Sequence, residues 1–232
     1  MSGANGGKGR VTRRRPVAVD LFAGAGGLSL GFEQAGFDVA AAVEIDPIHA
    51  ATHRYNFPDC ATIPKPIAEV SGRELRSVSG IGDREVDIVV GGPPCQGFSF
   101  RGAFTSPRPI HYARDRCVTI REMARLHGFP DWFRFHKTKW HGARQVGNAV
   151  PPPLARALAC EFLAAMGVSP TRPRRALPLG DAALLGMDMS AAADYWGVAV
   201  PIARRDRKSG ARKRKQEEIE EALGGGSIFF PG

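Results

Sequence analysis

Cys95 is the side chain of this sequence that is best placed for nucleophilic chemistry. It follows the apolar run Val86 to Val90, in the loop Gly91-Gly92-Pro93-Pro94-Cys95-Gln96. Glycines and prolines fix such a loop, so we expect the thiol to be exposed and rigidly held. A thiol in that setting becomes a nucleophile when nearby positive charge lowers its pKa. A lone cysteine is more often structural, which is our expectation for the cysteines without this context: Cys60, Cys117 and Cys160.

A glycine-rich loop and an acid indicate a nucleoside site. Gly24, Gly26 and Gly27 follow one apolar run, and Glu44 ends the next, 18 residues after Gly26. Glycines let the backbone approach a ligand, and an acid after a strand can accept hydrogen bonds from ribose hydroxyls. The spacing differs from the Gly-x-Gly-x-x-Gly of dinucleotide sites, which favours an adenosine-containing cofactor without a pyrophosphate. The alternative is a tight turn beside a surface acid.

These candidates all follow predicted strands. Three apolar runs predict buried strands: Val17 to Leu21, Val39 to Val43 and Val86 to Val90. The first two are followed by predicted helices, one from Leu28 to a stop at Gly36 and one from Pro47 to about Asn56. Further helices are predicted near 119–126, over 154–165, and as one or two short helices in 182–196. The alternation predicts a doubly wound α/β sheet, which binds ligands at the carboxyl ends of its strands.

The charge of the chain favours a polyanionic partner. The 232 residues carry a formal net charge of +9, with basic clusters in 1–15, 108–144 and 204–215. Nucleic acid is the first candidate partner, and solvated basic tails are the alternative. Stacking on bases is one role for Trp132, Phe133, Phe135 and Trp140, and core packing is the other. We expect His111, His127, His136 and His141 to be surface or packing residues.

Composition excludes several classes of protein. No Cys-x-x-Cys pair occurs, which argues against a zinc ribbon, and four scattered cysteines do not form a disulfide scaffold. No apolar stretch of membrane-spanning length is present, and the Gly- and Arg-rich beginning does not resemble a signal peptide. We therefore expect no metal and no membrane contact, and a reducing cytoplasm, close to the nucleoid.

Several segments together resemble, in order, the signature motifs of the DNA (cytosine-5) methyltransferases. They are Asp20 to Leu28, Glu44-Ile45-Asp46, Pro94-Cys95-Gln96 and Arg144-Gln145-Val146-Gly147-Asn148-Ala149-Val150-Pro151. The segments 108–111 and 119–131 look like the stretch before the last of these, and the likeness covers roughly 17–165. The resemblance implies a Rossmann-like, SAM-dependent methyltransferase fold. It implies a catalytic domain at 16–167. The composition predicts a basic disordered arm at 1–15 and a charged extension at 168–232.

The resemblance also implies roles. Cys95 would attack carbon 6 of a cytosine flipped out of double-stranded DNA. S-adenosylmethionine would be bound by Phe22, Ala23, Gly24, Gly26, Gly27, Leu28, Glu44, Ile45, Ile67, Pro94, Asn148 and Val150. Within that set, Glu44 would hold the ribose and Ile45 the adenine, while Asn148 and Val150 would close over the methionine part. DNA would be contacted by Gln96, Ser99, Arg101 and Arg121.

The sequence departs from the family after residue 102. It passes from Arg101-Gly102 almost directly to Arg108-Pro109, where the family has a long central region. Neither Glu-Asn-Val nor Gln-x-Arg-x-Arg occurs in the 232 residues. In the family that glutamate protonates cytosine nitrogen 3, the arginines contact the base, and the region includes the target recognition domain. Strands of the sheet are missing as well, so we expect an exposed apolar edge.

A smaller departure is Pro66, which stands where the family has an aspartate that binds the adenine amino group. Proline offers no side-chain acceptor, so adenine binding should be weaker or use other groups.

Three functions stay open at this point. In the first, the chain is a methyltransferase, with or without a second polypeptide that completes it. In the second, it is an inactive deletion remnant. In the third, it is a SAM- or DNA-binding module without catalysis.

Overall fold

The centre of the molecule is a four-stranded parallel sheet. The structure is a computed structural model that describes residues 12–93, 113–114, 116–171 and 179–200. The strands are β2 (Val17–Leu21), β3 (Asp38–Val43), β4 (Ala61–Ile63) and β5 (Ile88–Gly91), in the order β4-β3-β2-β5. A second small sheet pairs β1 (Thr12–Arg13) with β6 (Val168–Ser169) in parallel. All described residues belong to one unit, which ends at Val200.

Seven α-helices surround the sheets among the described residues. They are α1 (Gly27–Ala35), α2 (Pro47–Asn56), α3 (Gly72–Ser79), α4 (Ile120–Leu126), α5 (Lys139–Asn148), α6 (Pro152–Met166) and α7 (Met189–Trp196). Two 3-10 helices cover Ile67–Glu69 and Ala182–Leu185. The structure confirms the strands predicted at 17–21, 39–43 and 86–90, with shifts of a few residues at their ends. It also confirms the helices predicted after Leu28, after Pro47, near 119–126 and over 154–165. The prediction that the third strand is buried is wrong, because β5 has no neighbour on one side among the described strands and Val89 is 58% exposed.

The direction of strand addition reverses beside β2. The chain passes from β2 through α1 to β3 and through α2 to β4, and then returns through α3 to β5 on the other side of β2. In an open parallel sheet, ligands bind outside the carboxyl ends of the strands at such a reversal. The predicted doubly wound α/β architecture is therefore confirmed, and the reversal places the ends of β2, β3 and β5 at one crevice.

The two faces of the sheet have separate cores. Ala18 of β2 is paired with Ile88 of β5, and both contribute to the larger core, which also holds residues of α1, α4 and α6. Val19 is paired with Val89 and points to the opposite face, where the smaller core includes Ile81 and the α3 residue Leu75. Side chains alternate between the faces of a strand, so these register partners fix which helices lie on which side.

Local sequence explains where the first two helices begin and end. Gly26 and Gly36 flank α1 with φ of 101° and 113°, a left-handed conformation that glycine adopts without a steric penalty. Asp46 caps α2, and its carboxylate accepts hydrogen bonds from the Ile48 and His49 amides at 2.9 and 3.3 Å. Pro47 occupies the first turn, where a missing N–H costs nothing.

The end of the basic arm predicted at 1–15 is part of the fold. Thr12 and Arg13 form β1, and the next two arginines have acidic partners far along the chain. Arg14 pairs with Asp87, and Arg15 pairs with Glu33 at 2.5 Å. The Arg14 guanidinium lowers the pKa of the Asp87 carboxyl by hydrogen bonding. A run of basic residues without nearby acids favours an extended arm. For 12–15 that prediction is wrong, because the acidic partners Asp87 and Glu33 lie far away in the sequence and no local pattern shows them.

Candidate active site

The loop after β2 has the backbone of a ligand cradle. Phe22 and Gly24 have φ of 61° and 56°, and Gly26 has 101°. A non-glycine residue with positive φ is costly, and such strain is concentrated at functional sites. Phe22 is 38% exposed, so its ring is accessible at the end of β2. A Cβ on Gly24 would meet no atom within 4 Å, which leaves open space above the loop.

Glu44, at the end of β3, is bound to this loop. Its carboxylate accepts a hydrogen bond from the Gly24 amide at 2.7 Å and another from the Asp46 amide at 2.9 Å. The side chain is 8% exposed, whereas the neighbouring Ile45 is 54% exposed. Each carboxylate oxygen has two lone pairs, so Glu44 can still accept bonds from a ligand hydroxyl. An acid beside an accessible aliphatic side chain suits a ribose joined to a flat base.

Val150 brings three distant segments together. A Cβ on Gly27, at the start of α1, would lie 2.4 Å from the Val150 carbonyl oxygen. A Cβ on Gly92, just after β5, would lie 3.3 Å from Val150 Cγ2. The close approach at Gly27 requires a glycine there. The glycine loop, the loop that leads to Cys95 and the segment after α5 therefore meet at the reversal point of the sheet.

Comparison with known proteins identifies this arrangement. The family model described as "C-5 cytosine-specific DNA methylase" matches residues 17–108 and 102–164. The chain belongs to this family. The two matched pieces overlap at 102–108. The motif resemblance places the missing central region after residue 102, at the same point of the sequence.

Named relatives agree with the family assignment of this cytosine-5 methyltransferase chain. It is 29% identical to the Type II methyltransferase M.XorII of Xanthomonas oryzae pv. oryzae, an alignment that covers 90% of this chain and 100% of that protein. That alignment extends over 422 positions, so many of them lie opposite gaps in a chain of 232 residues. It is 49% identical to M1.HphI of Haemophilus parahaemolyticus over 84 residues, which is 36% of this chain and 22% of that protein. With M.AquIA of Picosynechococcus it shares 43% identity, over 36% of this chain and 34% of that protein.

The fold has a counterpart among solved structures. A prophage-encoded DNA modification methyltransferase of E. coli superposes with a TM-score of 0.58 over 66% of this chain and 99% of that chain. The identity is 19%, so this likeness shows the fold alone. It confirms the predicted Rossmann-like methyltransferase fold.

The other residues assigned to SAM have mixed positions in the methyltransferase fold. Ala23 and Leu28 are buried in the larger core, so their side chains are not available to a ligand and only their backbone atoms could contact one. Asn148 is exposed at the last position of α5. Ile67 is half-buried on the α3 side of the sheet, and Pro66 before it offers no side-chain acceptor. The residues present therefore suit the ribose and one side of the adenine, while the contact to the adenine amino group has no candidate at position 66.

Several predicted site residues lie outside the described residues. They are Pro94, Cys95, Gln96, Ser99 and Arg101. Arg121, the described member of the predicted DNA-contacting set, lies in α4, where its guanidinium donates to the Phe133 carbonyl at 2.7 Å and to that of Pro130 at 3.4 Å. Burial lowers its pKa. Arg121 therefore anchors the loop after α4, and its contact with DNA stays a prediction.

The aromatic residues of the basic segment divide between the two predicted roles. Phe133 and Phe135 are 0% and 7% exposed, and they pack in the larger core with Phe129. Trp132 and Trp140 are 46% and 51% exposed, so their rings are accessible. Stacking on bases stays a prediction for these two tryptophans alone.

The remaining cysteines and histidines differ in exposure. Cys60 is buried, which raises the pKa of its thiol well above the usual value, Cys117 is half-buried and Cys160 is exposed. His136 is buried with both ring nitrogens engaged, by Thr138 and by the Met187 carbonyl, while His111 lies outside the described part. Within that part, no group of three or more His, Cys, Asp or Glu side chains is arranged to hold a metal ion.

A buried amide network, which motif reasoning did not reveal, holds the last motif in place. Gln145 of α5 is 1% exposed, and its Nε2 donates to Thr52 Oγ1 of α2 at 2.9 Å. Its Oε1 accepts from the His136 amide at 2.8 Å. Asn56, at the end of α2, bonds to the backbone of Arg134 in both directions. Asn56 and Arg134 lie 78 residues apart in the sequence, and Thr52 and Gln145 lie 93 apart, so no local pattern signals these two contacts.

A second buried network lies beneath the glycine loop. Ser29 Oγ donates to Asp20 Oδ2 at 2.6 Å and lies 3.0 Å from His53 Nε2. That nitrogen must therefore carry the hydrogen, and His53 Nδ1 can accept from Thr62 Oγ1 at 3.2 Å. Burial lowers the pKa of His53 to about 3, in agreement with a neutral ring. Burial also raises the pKa of Asp20 to about 7, and Asp20 Oδ1 has no hydrogen-bond partner among the described residues.

We expect Asp20→Asn to change how stability depends on pH. The pKa of Asp20 is raised from 3.8 to about 7, so its contribution to stability is present below pH 4 and is lost as the pH rises toward 7. Asparagine keeps an acceptor for Ser29 but does not ionise. The variant should therefore gain roughly 2–3 kcal/mol relative to the unaltered chain between pH 5 and pH 8. Chemical unfolding of both proteins at pH 5 and pH 8 measures the difference in their free energies of unfolding. The same difference at both pH values would contradict the prediction.

Among the helices that the structure describes, none is long and apolar enough to cross a membrane.

Proposed function

We propose that this chain transfers the methyl group of S-adenosylmethionine to carbon 5 of cytosine in double-stranded DNA, and that Cys95 is the nucleophile. We further propose that a second polypeptide supplies the region that the chain lacks. The family assignment supports the reaction class. The observation that carries the proposal is the position of Val150 against both Gly27 and Gly92, because it joins a cofactor loop to the loop that leads to Cys95.

The cofactor would lie over the glycine loop. Glu44 would accept the ribose hydroxyls, Ile45 and Ile67 would contact the adenine, and Phe22, Ala23, Gly24, Gly26, Gly27 and Leu28 would line the loop. Pro94, Asn148 and Val150 would complete the site. The open space above Gly24 and the 54% exposure of Ile45 support this placement. When bound, S-adenosylmethionine supplies a methyl group activated by a sulfonium.

The residues of the chain would supply the covalent chemistry. The Cys95 thiolate would add to carbon 6 of the cytosine, which makes carbon 5 nucleophilic. Carbon 5 would then accept the methyl group as the bond from that methyl to the sulfonium sulfur breaks and a neutral thioether is released. Transfer of the carbon 5 proton to a water molecule would expel the Cys95 thiolate and restore the aromatic ring. Gln96, Ser99, Arg101 and Arg121 would contact the flipped base and its strand, and the basic tails would contact phosphates without sequence preference.

A second polypeptide is part of the proposal because one chemical role has no residue in this chain. Cytosine is a poor electrophile unless nitrogen 3 is protonated or strongly hydrogen-bonded during attack. Loss of a general acid typically costs on the order of 10²–10⁴ in rate. The family's Glu-Asn-Val, which fills that role, is absent from the 232 residues. We place the reaction on DNA in the cytoplasm, at the nucleoid. Residues 16–167 are the catalytic domain and 168–232 an extension, and 1–15 are a basic arm whose last residues, 12–15, are part of the fold.

The ribose contact is tested with Glu44→Ala. Removal of the charged acceptor should weaken binding of S-adenosylmethionine by about 1–3 kcal/mol, measured by calorimetry. The loss of the carboxylate also leaves the Gly24 and Asp46 amides without their acceptor. Glu44→Gln keeps one acceptor oxygen, so its affinity for S-adenosylmethionine should lie between those of Glu44→Ala and the unaltered chain. Glu69→Ala is the matched control, since Glu69 is exposed on the 3-10 helix. Equal affinity of Glu44→Ala and the unaltered chain would remove the assigned contact.

A further inference from the structure

An apolar groove lies on the α3 face of the sheet, beside β5. Its walls include Val19 and Leu21 of β2, Leu75 of α3 and Val89 of β5, and its volume is about 270 Å³. Ile67, the proposed adenine contact, also lines it, so the groove adjoins the proposed cofactor site. Val89 is 58% exposed, although it is a strand residue whose register partner Val19 is 2% exposed. An accessible apolar strand residue beside a groove of apolar side chains is typical of a surface that another segment covers.

The groove adjoins an open strand edge. β5 pairs with β2 along Ile88–Gly91, and among the described strands it has no partner on its other side. An open edge presents backbone N–H and C=O groups that can bind an added strand. The smaller core ends at this edge, so an added strand would extend both the sheet and that core.

The connection rules of parallel sheets place the next elements of the fold here. α1 lies on the face of the larger core, and α3, which leads back toward β5, lies on the opposite face. Because crossovers between parallel strands are right-handed, a helix that leads from β5 to a further strand beside it must lie on the α3 face. That position is the groove next to Leu75 and Val89.

We propose that this groove and the free edge of β5 receive a helix and a parallel strand from a second polypeptide that carries the central region of the family. The occupant follows from the gap. The family model matches in two pieces that overlap at 102–108, directly after the β5 loop, and M.XorII aligns over its full length only with extensive gaps in this chain. The inference rests on the proposed function and adds the docking surface to it.

The probe is the part of M.XorII that aligns opposite the gap, produced as a separate polypeptide and shown first to unfold cooperatively in denaturant, and then mixed with the full chain. Light scattering after gel filtration should show a one-to-one complex. Val89→Lys should weaken it at least about tenfold, since the interface would bury an unpaired charge. Leu126→Lys is the matched control, because Leu126 is 84% exposed on α4, and it should bind like the unaltered chain. Hydrogen exchange should slow in β5 when the segment is present.

Four results would overturn the proposal. They are the absence of a complex, equal binding by Val89→Lys, unchanged exchange in β5, and self-association of the chain alone that Val89→Lys abolishes, which would make a second copy the occupant. Binding of S-adenosylmethionine, measured separately on the same chain, distinguishes failure of the proposed function from failure of the docking surface. If the chain binds S-adenosylmethionine but forms no complex, only the proposed docking surface is wrong. If it forms the complex but does not bind S-adenosylmethionine, the proposed cofactor site is wrong.

Discussion

Replacement of Cys95 by serine is expected to abolish covalent trapping of the chain on DNA that contains 5-fluorocytosine. Fluorine at carbon 5 cannot leave as a proton does, so the adduct at carbon 6 persists and is seen as a shifted band on a denaturing gel. A serine hydroxyl is not ionised near neutral pH, so it does not add to the ring. The reaction is run with the central segment of M.XorII, because without a general acid we expect adduct formation to slow by about 10²–10⁴.

The control for this experiment is Cys160→Ser. Cys160 is an exposed thiol on α6, so its loss tests whether any accessible cysteine can be trapped. The control should trap as the unaltered chain does. Adduct formation by Cys95→Ser, or no adduct from the unaltered chain with the segment present, would contradict the proposed chemistry.

Gly26→Ala should have a large effect on the stability of the glycine loop after β2. The residue has a φ of 101°, and an added Cβ would lie 2.3 Å from Cε2 of Phe57 and 3.1 Å from Cδ2 of His53. The left-handed backbone costs roughly 1–2 kcal/mol for alanine, and displacement of a packed ring costs about 1–3 kcal/mol more. We expect a loss of about 2–5 kcal/mol in the free energy of unfolding, together with loss of cofactor binding, measured by denaturant unfolding and calorimetry.

Gly72→Ala is the matched control for the loop variant. Gly72 begins α3, its φ is not in the left-handed range, and a Cβ there would meet no atom within 4 Å. This variant should unfold within about 0.5 kcal/mol of the unaltered chain, as surface substitutions usually do. A Gly26→Ala protein as stable as the control would show that the loop does not need the geometry described here.

Elements with strong local signals could be predicted from the sequence. The apolar runs of β2 and β3 are buried strands, and the apolar run of β5 is a strand at the edge of the sheet with Val89 58% exposed. The glycine stop at Gly36 marks the end of α1, and Asp46-Pro47 marks the start of α2. β4 was not predicted because its three residues are too few to show the alternation of apolar and polar side chains that marks a strand. α3 was not predicted because most of its residues are polar, so its amphipathic pattern is short.

Long-range contacts explain what the sequence could not show about the site. The motif Arg144 to Pro151 was found by resemblance, but the anchoring of Gln145 on Thr52 depends on a partner 93 residues away. The same holds for Val150, whose contacts with Gly27 and Gly92 exist only in the folded chain. Arg121 shows the converse, since an arginine expected at DNA donates its hydrogen bonds to two carbonyls of its own loop.

Binding of S-adenosylmethionine by a chain that lacks the family's central region is the central prediction. Titration of the purified, folded chain with S-adenosylmethionine in a calorimeter tests it. We predict saturable binding at one site per chain, because the glycine loop, Glu44 and Val150 lie in the described part of the fold. No binding heat from a chain with a cooperative unfolding transition would contradict the account and would favour an inactive deletion remnant.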